Sequence, residues 1–241
     1  MAMPPSKAAF LSLLRPPDGP PSGPDVLREL RRVIASGRIA PDTPVPVDDV
    51  AALFSLSRIP VREALKTLIG EGLITHQPRF GFLVTRLSEA ELHELYVVRG
   101  SLEAAAIEAA VRHATPDDDA HAQRIHEELT SAVDSHDSRG FQRTSRQFHL
   151  ALLHPCRMPR LLSMLKTAWN LTEPAQAMSR VDADTQQELR RDHEQMLAAF
   201  IARDASALRA AGEEHHKRLT TALDTWTAPP TAPEPAEDYA P

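Results

Sequence analysis

The stretch Ser57-Arg58-Ile59-Pro60-Val61-Arg62-Glu63-Ala64-Leu65-Lys66-Thr67-Leu68-Ile69-Gly70-Glu71-Gly72 decides how the first half of the chain is read. Val61, Leu65, Leu68 and Ile69 recur at i, i+4, i+7 and i+8, which is the apolar stripe of one α-helix. Ser57 is a residue type suited to its N-cap, and Gly72 ends it. Pro60 falls in the first turn, where a missing N–H costs little because that donor has no intrahelical partner. Away from the stripe, Arg58 and Arg62 lie four apart with Lys66 one turn further, so three cations project together from the start of the helix.

Outward from this helix, Val26, Leu30, Val33 and Ile34 predict an earlier helix that stops at Gly37, and Val50, Ala51 and Phe54 a short one between. Downstream, Leu73-Ile74-Thr75 and Phe82-Leu83-Val84 are β-prone runs joined by His76-Gln77-Pro78-Arg79-Phe80-Gly81. Three helices followed by a hairpin make a winged helix-turn-helix over residues 25–87.

Proline usage divides the rest. Residues 1–24 hold seven of the 21 prolines and residues 227–241 five more, a composition that predicts disordered tails at both ends. Residues 88–226 hold only Pro116, Pro155, Pro159 and Pro174, and read as six helices near 88–113, 117–135, 138–153, 158–171, 184–203 and 205–226. Ser88, Thr115 and Asp204 stand at N-cap positions, no strand signal intervenes, and one-sided apolar spacing predicts an antiparallel helical bundle. The fold class is therefore mainly α.

At 241 residues with 42% hydrophobic content the chain can bury two cores. No run of about 18 apolar residues offers a membrane span and no secretory leader is evident, so the cytoplasm is the expected compartment. The single cysteine, Cys156, excludes an intramolecular disulfide or a cysteine-based zinc cluster, and reads as a buried thiol. The formal charge of −6 divides unevenly: residues 25–87 carry +2 and residues 88–241 carry −9. Only the first segment can face a polyanion, and its small excess makes clustered arginines and a doubled site necessary.

The run from Ser57 to Leu65, then Leu68, Glu71-Gly72-Leu73-Ile74 and Arg79-Phe80-Gly81-Phe82-Leu83-Val84, resembles the recognition helix and wing of the GntR family of transcription regulators. Leu95-Tyr96-Val97-Val98-Arg99 and Leu102-Glu103 are similar to the opening of the FadR-type C-terminal domain, so the resemblance spans roughly residues 25 to 223. It implies a homodimer that binds a double-stranded DNA operator, as a repressor in the commoner case, under control of a small organic acid. Arg58 and Arg62 can fork onto guanine or phosphate, Ser57 and Lys66 hold the DNA backbone, and Arg79 with Gly81 brings the wing to the minor groove. Without the flanking pattern, the same cations read as the solvated face of an amphipathic helix. Asp48 stands where many relatives carry an arginine; with Asp49 it suits a helix N-terminus but repels phosphate, which predicts an altered operator preference.

The resemblance also implies a divalent metal, Zn²⁺, Ni²⁺ or similar, held by an Asp and a His four apart and a His from each of the last two helices. His149, His193 and His215 match, while Ser145 replaces the carboxylate and leaves an ion's charge less compensated. Among eleven histidines most are ordinary surface or hydrogen-bonded residues, and His216 reads as a bystander pointing elsewhere. Arg99, Arg146 and Asn170, with Trp169, are the candidate effector contacts, although Arg99 could equally bridge to Glu103 one turn on. Two other function classes fit parts of the chain. One is a metal-dependent enzyme using three histidines, although Glu194 lacks an HExxH context and no phosphate loop or nucleophile elbow occurs. The other is a helical interaction protein without specific DNA binding.

Overall fold

The computed structural model describes residues 7–175 and 181–224. The segment read as a Pro-rich disordered C-terminal tail, 227–241, lies outside them. Among the described residues, buried apolar side chains form two clusters, one for each half of the chain.

The first half begins earlier than the proline count implies. The expectation of a disordered segment over 1–24 is corrected for residues 7–24: α1 (Lys7–Leu11) precedes α2 (Gly23–Ala35), and Phe10 and Leu14 are buried in the first core. Arg15 N–H donates to Glu29 Oε1 at 2.6 Å and Arg32 Nη2 to the Leu13 carbonyl at 2.7 Å, which fastens the segment to α2. The apolar run Phe10-Leu11-Ser12-Leu13-Leu14 supplies burial that an average over 24 residues conceals.

Helix α2 opens on a capping box between Ser22 and Asp25 and buries Val26, Leu30, Val33 and Ile34. Helices α3 (Val47–Leu53) and α4 (Arg58–Gly70) follow, with α4 packed on both α2 and α3. Val61, Ala64, Leu65 and Leu68 form the inward face of α4, whereas Ile69, expected in the stripe, is exposed. A bidentate pair from Arg31 to Glu71, 2.5 and 2.7 Å, ties α2 to the C-terminal end of α4.

Strands β1 (Ile74–Gln77) and β2 (Gly81–Val84) pair antiparallel with Ile74 opposite Val84 and Gln77 opposite Gly81. Arg79 at φ +71° and Gly81 at φ +82° turn the chain between them. The far edge of β2 is also occupied: Val45 N–H donates to the Phe82 carbonyl at 2.8 Å and Val84 N–H to the Thr43 carbonyl at 3.0 Å. Prolines at 41, 44 and 46 concealed this third edge in the sequence, since proline is tolerated in a sheet only where its missing N–H faces away from the ladder.

The second half is a bundle of α5 (Glu89–His113), α6 (Pro116–Asp134), α7 (Ser138–Leu153), α8 (Pro159–Thr172), α9 (Ala183–Ile201) and α10 (Ala205–Asp224). Ser88 and Thr115 close capping boxes, and Asp204 accepts the Ala207 N–H at 2.9 Å. Helix α5 is the central strut, contacting α7, α8 and α10, while α6 and α9 complete the other side. The two halves touch at Leu171, which packs on the first core and stands 3.0 Å from where a Cβ on Gly72 would lie. Gly72 is at φ +75°, a conformation that favours glycine, and a Cβ there would also press on Leu171.

Truncating Phe10 to Ala is expected to lower stability by about 3 kcal/mol, the cost of emptying a fully buried aromatic site. Chemical denaturation of the two proteins checks this, since a segment that did not pack would leave the midpoint unchanged.

Candidate nucleic-acid interface and metal centre

The start of α4 presents its side chains outward. Ser57 occupies the N-cap position with extended backbone, but its hydroxyl makes no capping bond and remains exposed. Arg62 is exposed and, among the described residues, its guanidinium has no partner. Arg58 Nε meets Asp48 Oδ1 at 2.7 Å and Lys66 Nζ meets Glu63 Oε1 at 2.8 Å, each pair being about two-thirds exposed on both sides. Such solvated pairs are worth about 0–1 kcal/mol, so a phosphate or a guanine edge can displace either carboxylate. Arg79 and Phe80 are exposed on the wing turn beside the half-buried Gly81. All six residues expected to contact DNA thus lie on α4 or the wing, and Asp48 acts as a competing anion for Arg58.

The second constellation is inside the bundle. Phe148 is buried, and so are Ser145 and His149 on the same face of α7, four residues apart. His193 on α9 and His215 on α10 converge on them, and the three imidazoles are at most 2% exposed. One ring nitrogen from each lies within 4.8 Å of the others. His193 Nε2 is 3.2 Å from His149 Nε2 and 3.2 Å from Ser145 Oγ.

Buried carboxylates stand behind the imidazoles. His149 Nδ1–H donates to Glu103 Oε2 at 2.9 Å, which leaves the Nε2 lone pair facing its neighbours. Asp192 Oδ2 is 3.6 Å from His215 Nδ1 and is itself held by Arg218 Nε at 3.0 Å. Burial alone would push the Glu103 carboxyl up, but His149, His216 and Arg99 around it hold it well below the usual carboxylate range. Burial, with the neighbouring imidazoles, holds His193 and His215 well below the usual histidine range, so both are neutral near pH 7 and can offer lone pairs.

This donor set fits a borderline divalent ion such as Zn²⁺ or Ni²⁺: three neutral imidazoles, a hydroxyl where the resemblance implies a carboxylate, and a buried negative charge one residue removed at Glu103. The Nδ1 atoms of His193 and His215 are buried without hydrogen-bond partners.

Arg99 is the one expected effector contact that reaches the cluster. It is 1% exposed, its guanidinium carbon lies 3.2 Å from the Trp169 ring centroid, and its Nε has no hydrogen-bond partner. The anticipated bridge to Glu103 is long, at 4.0 Å. Arg99, Trp169, Phe141 and Ser145 line a narrow cavity of about 20 Å³ that ends on His193 and His215. The other two candidate effector contacts, Arg146 and Asn170, are not among the residues that line this cavity. Arg146 follows Ser145 and Asn170 follows Trp169, so each projects about 100° away from its inward neighbour. They bond each other at 2.6 Å outside the cavity.

Glu103 and Asp192 stand behind the imidazoles with no motif in the sequence to mark them. The same holds for His216, which gives no nitrogen to the cluster yet lies 3.6 Å from Glu103 Oε2, with Nδ1–H donating to the Gly212 carbonyl at 2.9 Å. A one-turn spacing from Arg99 to Glu103 was the only signal for the first. Glu194, the base an enzyme reading would need, is exposed and pairs loosely with Arg190 at 3.8 Å.

Comparison with known proteins gives two family matches. Residues 24–84 match the bacterial regulatory proteins of the gntR family, and residues 94–218 match the FCD domain. The HTH-type transcriptional regulator McbR of Escherichia coli is 30% identical over 144 residues, 60% of this chain and 65% of that protein. The chain thus spans less than two thirds of McbR in that alignment. The HTH-type transcriptional repressor RspR of the same organism is 27% identical over 216 residues, covering 84% of this chain and 89% of that one. The gluconate operon transcriptional repressor of Bacillus subtilis is 43% identical over 91 residues, 38% of this chain and 37% of that one. The solved structure of E. coli McbR/YncC superposes with a TM-score of 0.75 at 26% identity, covering 84% of this chain and 96% of that one. These similar proteins are regulators rather than enzymes.

The unfolded chain protonates both imidazoles near pH 6.5, whereas the native state keeps them neutral, so the unfolded state binds more protons below that pH. The melting temperature of metal-free protein is therefore expected to fall as pH drops below about 6.5. His193→Gln should flatten that fall, and calorimetry between pH 7.5 and 5 is the check.

Proposed function

We propose that this chain, which belongs to the gntR family of bacterial regulatory proteins and carries an FCD domain as its C-terminal half, is a homodimeric repressor whose hold on its operator is set by a small organic acid bound beside a divalent metal. It is a DNA-binding regulator of transcription. Repression, the dimer, the metal and the acid are our reading. One observation carries it: an interior cavity joins the buried Arg99 to a cluster of neutral imidazoles.

His149, His193 and His215 would hold the ion, with Ser145 Oγ as a neutral neighbour and Glu103 fixing the tautomer of His149. The ion, when bound, supplies a Lewis-acidic partner for one carboxylate oxygen. Arg99 supplies the other charge, held in place by its stack on Trp169, and Tyr96 and Phe141 keep the cavity dry. A buried arginine with an unpartnered Nε gains a hydrogen bond when an organic acid enters, which favours the occupied arrangement of the bundle. No helix of the described residues is long and apolar enough to cross a membrane.

At the DNA end, two copies of α4 read half-sites about 34 Å apart. Arg62, free of intramolecular pairing among the described residues, is the principal base-reading side chain. Arg58 has to exchange Asp48 for DNA, so Asp48 tempers affinity rather than contributing to it.

Replacing Arg62 by Ala is expected to cost about 1–3 kcal/mol per half-site and to abolish discrimination between operator and random DNA, with the fold unchanged. Gel-shift titration against both DNAs reads this, and retained discrimination would overturn the assigned surface. Asp48→Asn should instead tighten binding several-fold at low salt, by roughly 1 kcal/mol or less, in the same assay. His193→Ala should lower bound zinc or nickel in elemental analysis and blunt the release of DNA by organic acids. An unchanged metal content together with an unchanged response would remove the sensor-site reading.

A further inference from the structure

Helix α7 carries Arg139, Arg143 and Arg146 at i, i+4 and i+7, hence on one face, with Arg139 in its first turn. Both placements are electrostatically unfavourable. Like charges one turn apart repel, and the positive end of the helix dipole disfavours cations. Asp137 at the N-cap is the one carboxylate at that end of α7, since the first turn holds no acidic residue. Among the described residues, neither Arg139 nor Arg143 has an ion-pair or hydrogen-bond partner for its guanidinium, and Arg146 donates only to the neutral amide oxygen of Asn170. Residues 88–241 carry a formal charge of −9, so this stripe is not a sample of a generally basic surface.

The stripe faces the DNA-binding domain. With Arg38, just beyond α2, it walls a cleft of about 510 Å³ between the two domains. Arg38 also lacks a side-chain partner among the described residues. Two carboxyl groups share the cleft with the four arginines, and neither makes an ion pair with them. Asp137 is committed to capping α7, accepting the Gly140 N–H at 2.9 Å. Glu173 is 6% exposed, accepts from Gln142 Nε2 at 2.8 Å through Oε2, and leaves Oε1 without a partner. Burial pushes its carboxyl up, against the opposing pull of Gln142, Arg146 and Arg99.

We propose that this inter-domain cleft is a second ligand site, separate from the imidazole cavity, which takes a small multivalent oxyanion, either a phosphate ester or a polycarboxylate, gripped by Arg139, Arg143 and Arg146 on one side and Arg38 on the other. Guanidinium forks match the oxygens of either group. The cleft is large enough for a molecule carrying two such groups. Arg38 belongs to the DNA-binding domain and the other three to the FCD domain, so an occupant clamps one domain to the other. Gln142 and Glu173 also line the imidazole cavity, which makes the two sites share a wall.

The test uses the full chain without DNA, so that it stands apart from the regulator reading. Inorganic pyrophosphate and citrate are titrated calorimetrically at constant ionic strength, with acetate and chloride as controls. Pyrophosphate, citrate or both are expected to bind once per chain, and the probe that binds identifies the phosphate or carboxylate source. The Arg139→Gln/Arg143→Gln double variant and Arg38→Gln should each weaken binding at least tenfold, while His193→Ala leaves it unchanged. The ligand-free double variant should melt no lower than the parent, because it relieves repulsion rather than removing a contact. Absence of binding by both probes, binding indifferent to the arginine substitutions, or loss in His193→Ala would each overturn the proposal.

Discussion

The hydrogen bond from His149 to Glu103 is the constraint around which the bundle interior is organised. A carboxylate buried to this depth is costly unless donors and positive charge surround it, and here His149 donates while Arg99 and His216 stand at 4.0 and 3.6 Å. The same bond fixes which nitrogen of His149 carries its proton and turns the lone pair toward His193. Arg99 in turn is kept off full pairing with Glu103 by its stack on Trp169, which leaves its Nε unsatisfied at the cavity. Packing and charge therefore produce an interior that is strained in hydrogen bonding but fixed in geometry, the condition under which a small polar guest has most to contribute.

The outer face of the other domain follows the opposite logic. Around α4 the ion pairs are solvated and short-lived in energetic terms, and none holds its arginine against a stronger partner. A reading head that exchanges partners rapidly and a sensor that holds them tightly occur in one chain because one set of charges is exposed and the other buried. Net charge conceals this division, since the −6 of the whole chain averages a slightly basic head with an acidic bundle.

Much of this was legible in the order of residues. The stripe Val61, Leu65, Leu68 and the two β-prone runs identified the winged helix, and capping residues at 88, 115 and 204 placed three helix starts. The three imidazoles were found through resemblance, because nothing in spacing alone brings positions 149, 193 and 215 together across three helices. Three features escaped for identifiable reasons. The pairing of residues 43–45 with β2 depends on backbone atoms that lie between the prolines, where a proline count gives no strand signal. The packing of Phe10 was diluted by the prolines around it. Arg146 and Asn170, candidate effector contacts on pattern, stand on different helix faces from their inward neighbours Ser145 and Trp169, which pattern alone did not separate.

The contact of Leu171 with Gly72 bears on how such proteins can be recombined. A methyl group at 72 would press on that side chain, and the backbone there is left-handed, so the two domains meet through a tight socket that favours glycine. A hybrid that joins this reading head to a sensor from another protein inherits that socket. Its success depends less on where the linker is cut than on whether the incoming bundle presents a matching branched side chain at the end of its fourth helix.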